Sequence, residues 1–187
     1  MPEVRIIVPS HLHEKLKKLA EFKQEINGFF VYTPDEIGGK TFWRVHSFHM
    51  LGRGSAEHVR ARASHLNAAN VFLQELRKRA PRAGYDFIKV HTHCRGTGEQ
   101  WFHRFSKQDL EAVREELLEN PGFTLMMYSP THQIATGHPN NKYTVKVVHS
   151  QQHHLENNRK LDAIYDEARQ REGITLPRFE AVRKRER

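Results

Sequence analysis

The chain predicts a mixed α/β or α+β fold, in which one sheet is sandwiched by helices. Short β-branched and aromatic runs alternate with longer segments whose apolar residues recur at helical spacing. Clusters of Gly, Pro, Asn and Ser separate these runs. No internal repeat, low-complexity tract or Gly/Ser-rich linker divides the 187 residues. That length suits one domain with an appended element, and it can bury a core without staples.

Residues 4–8 (VRIIV) are β-branched and stop at Pro9, which predicts a first strand. Ser10 is expected to cap a helix running to about Lys23, with Leu12, Leu16, Leu19 and Ala20 on one face. Residues 24–32 (QEINGFFVY) are expected to turn from helix to strand at Gly28, and residues 33–40, with Pro34 and Gly38-Gly39, to form a hairpin turn. Residues 41–51 alternate as a strand. Strict alternation puts Phe42, Arg44, His46, Phe48 and Met50 on one face and Trp43, Val45, Ser47 and His49 on the other.

The glycines at 52 and 54 break that strand, and Ser55 opens a long helical region to about Ala80, its stripe including Leu66, Ala69, Phe72 and Leu76. Residues 86–93 predict a strand, 94–105 a polar loop with Gly96 and Gly98, and 106–119 a helix closed by Asn120-Pro121-Gly122. Residues 123–129 (FTLMMYS) read as a central strand, with further strands at 133–136 and 143–148. Residues 151–173 predict an amphipathic helix that packs on the sheet or dimerises the chain, followed by a basic tail.

Hydrophobic residues make up 37% of the chain, and no apolar run is long enough to span a bilayer, so no membrane role is expected. The opening MPEVRIIVPS lacks the basic and apolar regions of an export signal. The single cysteine, Cys94, precludes an internal disulfide framework and fits a reducing compartment; a cytoplasmic location is expected. The net charge of +8 would attract nucleic acid or acidic proteins. Its basic residues are spread out, however, as on a solvated basic surface, with the densest runs at 53–82 and 178–187.

Residues 85–111 (YDFIKVHTHCRGTGEQWFHRFSKQDLE) carry the chemistry. On a strand, His91 and His93 share a face, so both imidazoles can reach one ion. His11 and His13 have the same spacing but open a helix, where residues two apart diverge. His46 and His49, on opposite faces under strict alternation, cannot pair. Ser106 followed by Asp109 is a helix-capping signature, and it also places a carboxylate rigidly in a first turn. Two His and one carboxylate, with a fourth position left for water, is the pattern of a catalytic zinc. The missing base has a candidate in Glu25, at the expected junction between helix and strand.

Glu25 with Gly28 three residues on, then His91-Thr92-His93, then Ser106-Lys107-Gln108-Asp109, resembles the JAMM (MPN-plus) metalloprotease family. The resemblance covers about residues 4–150. It implies a curved mixed sheet flanked by helices, similar to cytidine deaminase, with a catalytic domain at 1–150 and a C-terminal helix and basic tail at 151–187 that is not a separate domain. It also implies one zinc ion per chain held by His91, His93 and Asp109, Glu25 as general base and Ser106 as oxyanion stabiliser. The implied substrate is the C-terminal tail of ubiquitin or a ubiquitin-like protein. The chain departs from the family pattern in two places: twelve residues, 94–105, separate His93 from Ser106, where the family has about seven, and Cys94 replaces a proline. Cys94 is thus either a modulator near the metal or a small buried residue. Two rivals are an inactive MPN-type scaffold and a DNA-associated relative, whose branch has His-Asn-His-Pro at the metal.

Overall fold

The first strand, β1 (Glu3–Pro9), runs directly into the first helix, α1 (Ser10–Ala20). Then follow β2 (Ile26–Ile37), β3 (Lys40–Arg53), α2 (Ala63–Arg79), β4 (Asp86–Thr92), α3 (Lys107–Glu119), β5 (Leu125–Tyr128), β6 (Gln133–Thr136), β7 (Lys142–Val148) and α4 (Gln152–Arg171). The computed structural model describes residues 2–22, 24–53, 63–94, 100 and 102–174. The expected helix start at Ser55, Gly96, Gly98, Trp101 and the basic tail lie outside the described residues, as does the side chain of Leu66.

The fold is a mixed α/β arrangement with one curved sheet flanked by helices. Strand order is β6-β5-β4-β2-β3-β1-β7, and the two end strands touch, so the sheet curls almost closed. Pairing is parallel for β1 with β3 and β7 and for β4 with β5, and antiparallel elsewhere. The curl wraps around α1. Leu12, Leu16 and Leu19 fall at helical spacing and fill the inner face with Ile6, Val8, Phe30, Phe48, Ile88 and Met126. Enclosing each such side chain stabilises the fold by about 1.5–3 kcal/mol. On the outer face, α2 and α4 cover Phe29, Val31 and Leu51 with Phe72, Leu76, Leu161 and Tyr165. The apolar stripe of α4 is therefore spent on its own chain.

Several sequence expectations need correction. Ser10 is not a cap: Pro9 holds that position, and the Ser150 hydroxyl accepts the His11 amide (2.9 Å) while bonding Ser10 Oγ (3.2 Å). Gly28 is not a turn but lies inside β2, where a Cβ would stand 2.5 Å from the His49 carbonyl oxygen and 2.6 Å from the Phe48 ring. The hairpin turn is only Gly38-Gly39, both with positive φ, as a tight two-residue hairpin requires. Pro34 is inside β2, in the half that pairs with β3 alone. β3 continues through Gly52, and β5 is second from the edge; β2 is the central strand. β5 is apolar throughout because both of its faces are covered.

The alternation expected along β3 fails at two bulges. Val31 pairs Ser47 while Tyr32 pairs Val45, which leaves His46 as an extra residue; Leu51 is skipped in the same way. Past His46 the faces exchange. Phe48 and Met50 join Trp43 and Val45 inside the curl, and His46 and His49 both face α4 rather than lying on opposite faces.

Candidate metal centre

β4 supplies the His91 imidazole, and His93 is the first residue past the strand, which ends at Thr92 rather than at 93. Ile88 and Val90 point into the inner core, so Phe87, His91 and His93 point outward. Between the histidines, the Thr92 hydroxyl accepts the Ile26 amide at 2.9 Å, which ties the start of β2 to this end of β4. α3 supplies the carboxylate. His91 Nε2 lies 3.4 Å from Asp109 Oδ1, and His93 Nε2 lies 3.3 Å from Asp109 Oδ2. One potential ligand atom from each residue falls within 4.8 Å of the others.

Asp109 is fixed by its helix start. Its Oδ2 accepts the Ser106 amide (2.8 Å) and hydroxyl (2.7 Å), and its own amide donates to Ser106 Oγ (3.1 Å). This is the capping box the sequence predicts. Burial works to raise the Asp109 carboxyl, but the hydrogen bond with His93, the field of His91 and the bonds from Ser106 outweigh it and hold the group well below the usual carboxylate range. Burial pushes His91 down to about 4 against the pull of Asp109, with His93 and Lys89 adding to the fall. The ring is therefore neutral at pH 7, the form that binds metals.

These residues fit a divalent ion. His91 Nε2 is buried, has no hydrogen-bond partner and points at a carboxylate oxygen. A cation between them would satisfy an atom that is otherwise costly to bury. His91, His93 and Asp109 could thus hold a metal, and two nitrogens with one oxygen suit zinc.

Glu25 precedes β2 and is 9% exposed. Asn27 pairs with His91, and continuing that register by two residues brings Glu25 opposite His93. Burial pushes Glu25 up to about 7; His93 opposes the rise and Asp109 adds to it. Cys94 is buried and is not part of the ligand group. In the loop that follows, Phe102 is buried, and its carbonyl accepts the Ser129 hydroxyl at 3.0 Å.

The sequence reading overlooked two groups. Asn27 is buried on the same face as His91, and the period of two that links Glu25 to Asn27 would have revealed it. Ser47 Oγ lies 2.8 Å from His49 Nε2, and His49 Nδ1 lies 3.5 Å from Asp162 Oδ1. That order of atoms imitates a nucleophile triad, but Ser47 is 0% exposed and no substrate reaches it. The series instead spans β3 and α4, through the approach of His49 to Asp162.

No protein-family model matches this chain, and no curated protein matches it. Among solved structures it is similar to protein DSY2949 from Desulfitobacterium hafniense, determined in solution, at 12% identity and a TM-score of 0.45. That alignment covers 80% of this chain and 97% of the other, a likeness too slight to establish a shared fold. Among the described residues, no helix is long and apolar enough to cross a membrane.

Proposed function

We propose that this chain is a zinc-dependent peptidase or isopeptidase of JAMM type, with a JAMM-like version of the curled sheet. The observation that carries this reading is the buried, unpartnered His91 Nε2 facing Asp109, with His93 beside it and a carboxyl pushed up to about 7 at Glu25. An inactive scaffold has no need to bury such groups together.

His91, His93 and Asp109 hold the ion in this reading. When bound, zinc supplies a Lewis acid that brings the pKa of a water toward about 7. Glu25 is positioned to take a proton at its carboxylate and return it to the departing amine. Burial raises the Glu25 carboxyl in the metal-free protein, and a bound cation would favour its ionised, proton-accepting form. The Ser106 hydroxyl proton is directed at Asp109 Oδ2, so its first task is to hold the ligand. The oxyanion role that the family resemblance assigns to Ser106 requires that proton to turn away. By the same resemblance, the substrate is a ubiquitin-like modifier attached through its C-terminal tail.

The test is metal analysis combined with cleavage of a panel of ubiquitin-like fusions, with and without chelator. The reading expects about one zinc per chain, lost in His91→Ala, and chelator-sensitive cleavage that disappears in Glu25→Gln while zinc is retained. Absence of metal from both the wild type and His91→Ala would sink the site. Normal cleavage by Glu25→Gln would sink the mechanism. A steeply salt-dependent affinity for duplex DNA, without cleavage, would favour the nucleic-acid alternative.

A further inference from the structure

Two polar atoms on neighbouring strands are buried without hydrogen-bond partners: Nε2 of His91 and Oδ1 of Asn27. The first is accounted for by the metal reading; the second is not. Asn27 is 4% exposed, and a carboxamide oxygen left unpaired at that depth is costly. It is also a specific choice, since Phe29 and Val31, the next residues of β2 on this face, are apolar and packed.

Asn27 and His91 are directly opposed in the antiparallel pairing of β2 with β4. Opposed residues share a face, with Cβ atoms about 5 Å apart. His91 turns Nε2 toward Asp109 Oδ1, so the proton of its neutral ring belongs on Nδ1 when Nε2 is a ligand. An imidazole that binds a metal is normally held by an acceptor for that second proton, which sets both tautomer and ring plane. Asn27 offers a buried acceptor with nothing else to accept. Ser106 already serves Asp109 in a parallel way, by gripping one carboxylate oxygen.

We propose that Asn27 is a positioning residue of the metal centre: its Oδ1, not bonded to His91 in this structure, takes up the Nδ1 proton of the opposed His91 when the metal binds and keeps Nε2 turned toward Asp109. The inference rests on the metal reading and extends it to a residue outside the ligand set. It accounts for a polar, unpartnered residue beside the packed apolar pair Phe29 and Val31. It also accounts for the spacing of Asn27 from Glu25, because two residues apart on β2 match two residues apart on β4.

The experiment measures zinc affinity of the full chain against a chromophoric chelator, for wild type, Asn27→Leu and Asn27→Asp. Leucine keeps the volume and removes the acceptor; aspartate keeps the acceptor. Asn27→Leu is expected to bind zinc about ten- to a hundredfold more weakly, and Asn27→Asp to recover most of that loss. The metal-free melting temperature of Asn27→Leu should equal or exceed that of the wild type, because an unpaired buried oxygen is removed. In the zinc-loaded wild type, ¹⁵N spectra should show His91 protonated and hydrogen-bonded at Nδ1. Equal zinc affinity in Asn27→Leu and wild type would overturn this inference alone, as would an Asn27→Asp protein as weak as Asn27→Leu. A lower metal-free melting temperature together with weak binding would assign Asn27 to the fold instead. Failure of the wild type to take up zinc would overturn the metal reading and this inference with it.

Discussion

Asp109 Oδ2 accepts two hydrogen bonds from Ser106, one from its amide at 2.8 Å and one from its hydroxyl at 2.7 Å. The hydroxyl bond accompanies the capping bonds and leaves Oδ1 turned to His91. Ser106→Ala removes the cap and the hydroxyl bond while keeping the amide bond. The expected loss is about 1 kcal/mol of stability in urea titration. Zinc affinity should fall as well, because the ligand loses its holder. Unchanged stability and unchanged affinity would contradict both roles.

Glu25 should leave a pH signature in the metal-free protein. Its folded pKa is raised from 4.5 to about 7, so between those values the folded state binds more protons than the unfolded state. Its contribution is fully present below about pH 4.5 and is lost as pH rises through about 7. Burial lowers His46 and His91 to about 4 and works in the opposite sense, so the raw stability curve mixes the two effects. The difference between proteins isolates Glu25. Glu25→Gln should gain on the wild type as pH rises from about 5 to 8, read by chemical denaturation in chelator. A difference that is constant across that range would show that Glu25 is not raised.

Gly28 has no room for a methyl group, with the His49 carbonyl and the Phe48 ring both within 2.6 Å of where a Cβ would stand. Gly28→Ala should cost about 1–3 kcal/mol by overpacking the central strand. It should also displace Glu25, three residues away, so any cleavage activity should fall by more than stability alone explains. Calorimetry on the metal-free protein, set beside an activity assay, checks both parts.

Truncation at residue 150 should not yield a stable domain. α4 lays Leu161, Tyr165 and Ala168 against Phe29, Leu51 and Phe72, and His49 reaches Asp162 from below. Removing it exposes that face, a patch of the kind that drives association. The 1–150 fragment should aggregate or bind a hydrophobic dye, unlike the full chain. A monomeric, cooperatively melting 1–150 fragment would contradict this.

Periodicity exposed most of the elements because each has one buried face. The α1 leucines, the runs of β1 and β4 and the stripe of α4 all carry that imprint. The bulges at His46 and Leu51 left no such trace, since any residue can be the extra one. One unseen slip at His46 reversed the faces of the residues between it and the second bulge at Leu51. The grouping of His91, His93 and Asp109 was legible because the His-x-His spacing and the cap spacing are geometric facts about strands and helices. The commitment of the Ser106 proton and the isolation of Asn27 Oδ1 were not, because they depend on what surrounds each atom in space.

The three residues that could hold the ion belong to unequal partners. His91 stands on a strand paired on both sides within the sheet, and His93 follows at its end, where its amide donates to the Tyr128 carbonyl. Asp109 stands on α3, whose one buried residue is Val113. An ion shared between them would be a rivet joining a rigid plate to a loosely seated rod. Chelation should then register first as faster amide exchange along α3, with β2 and β4 unmoved, so that loading with metal and seating of this helix become a single event.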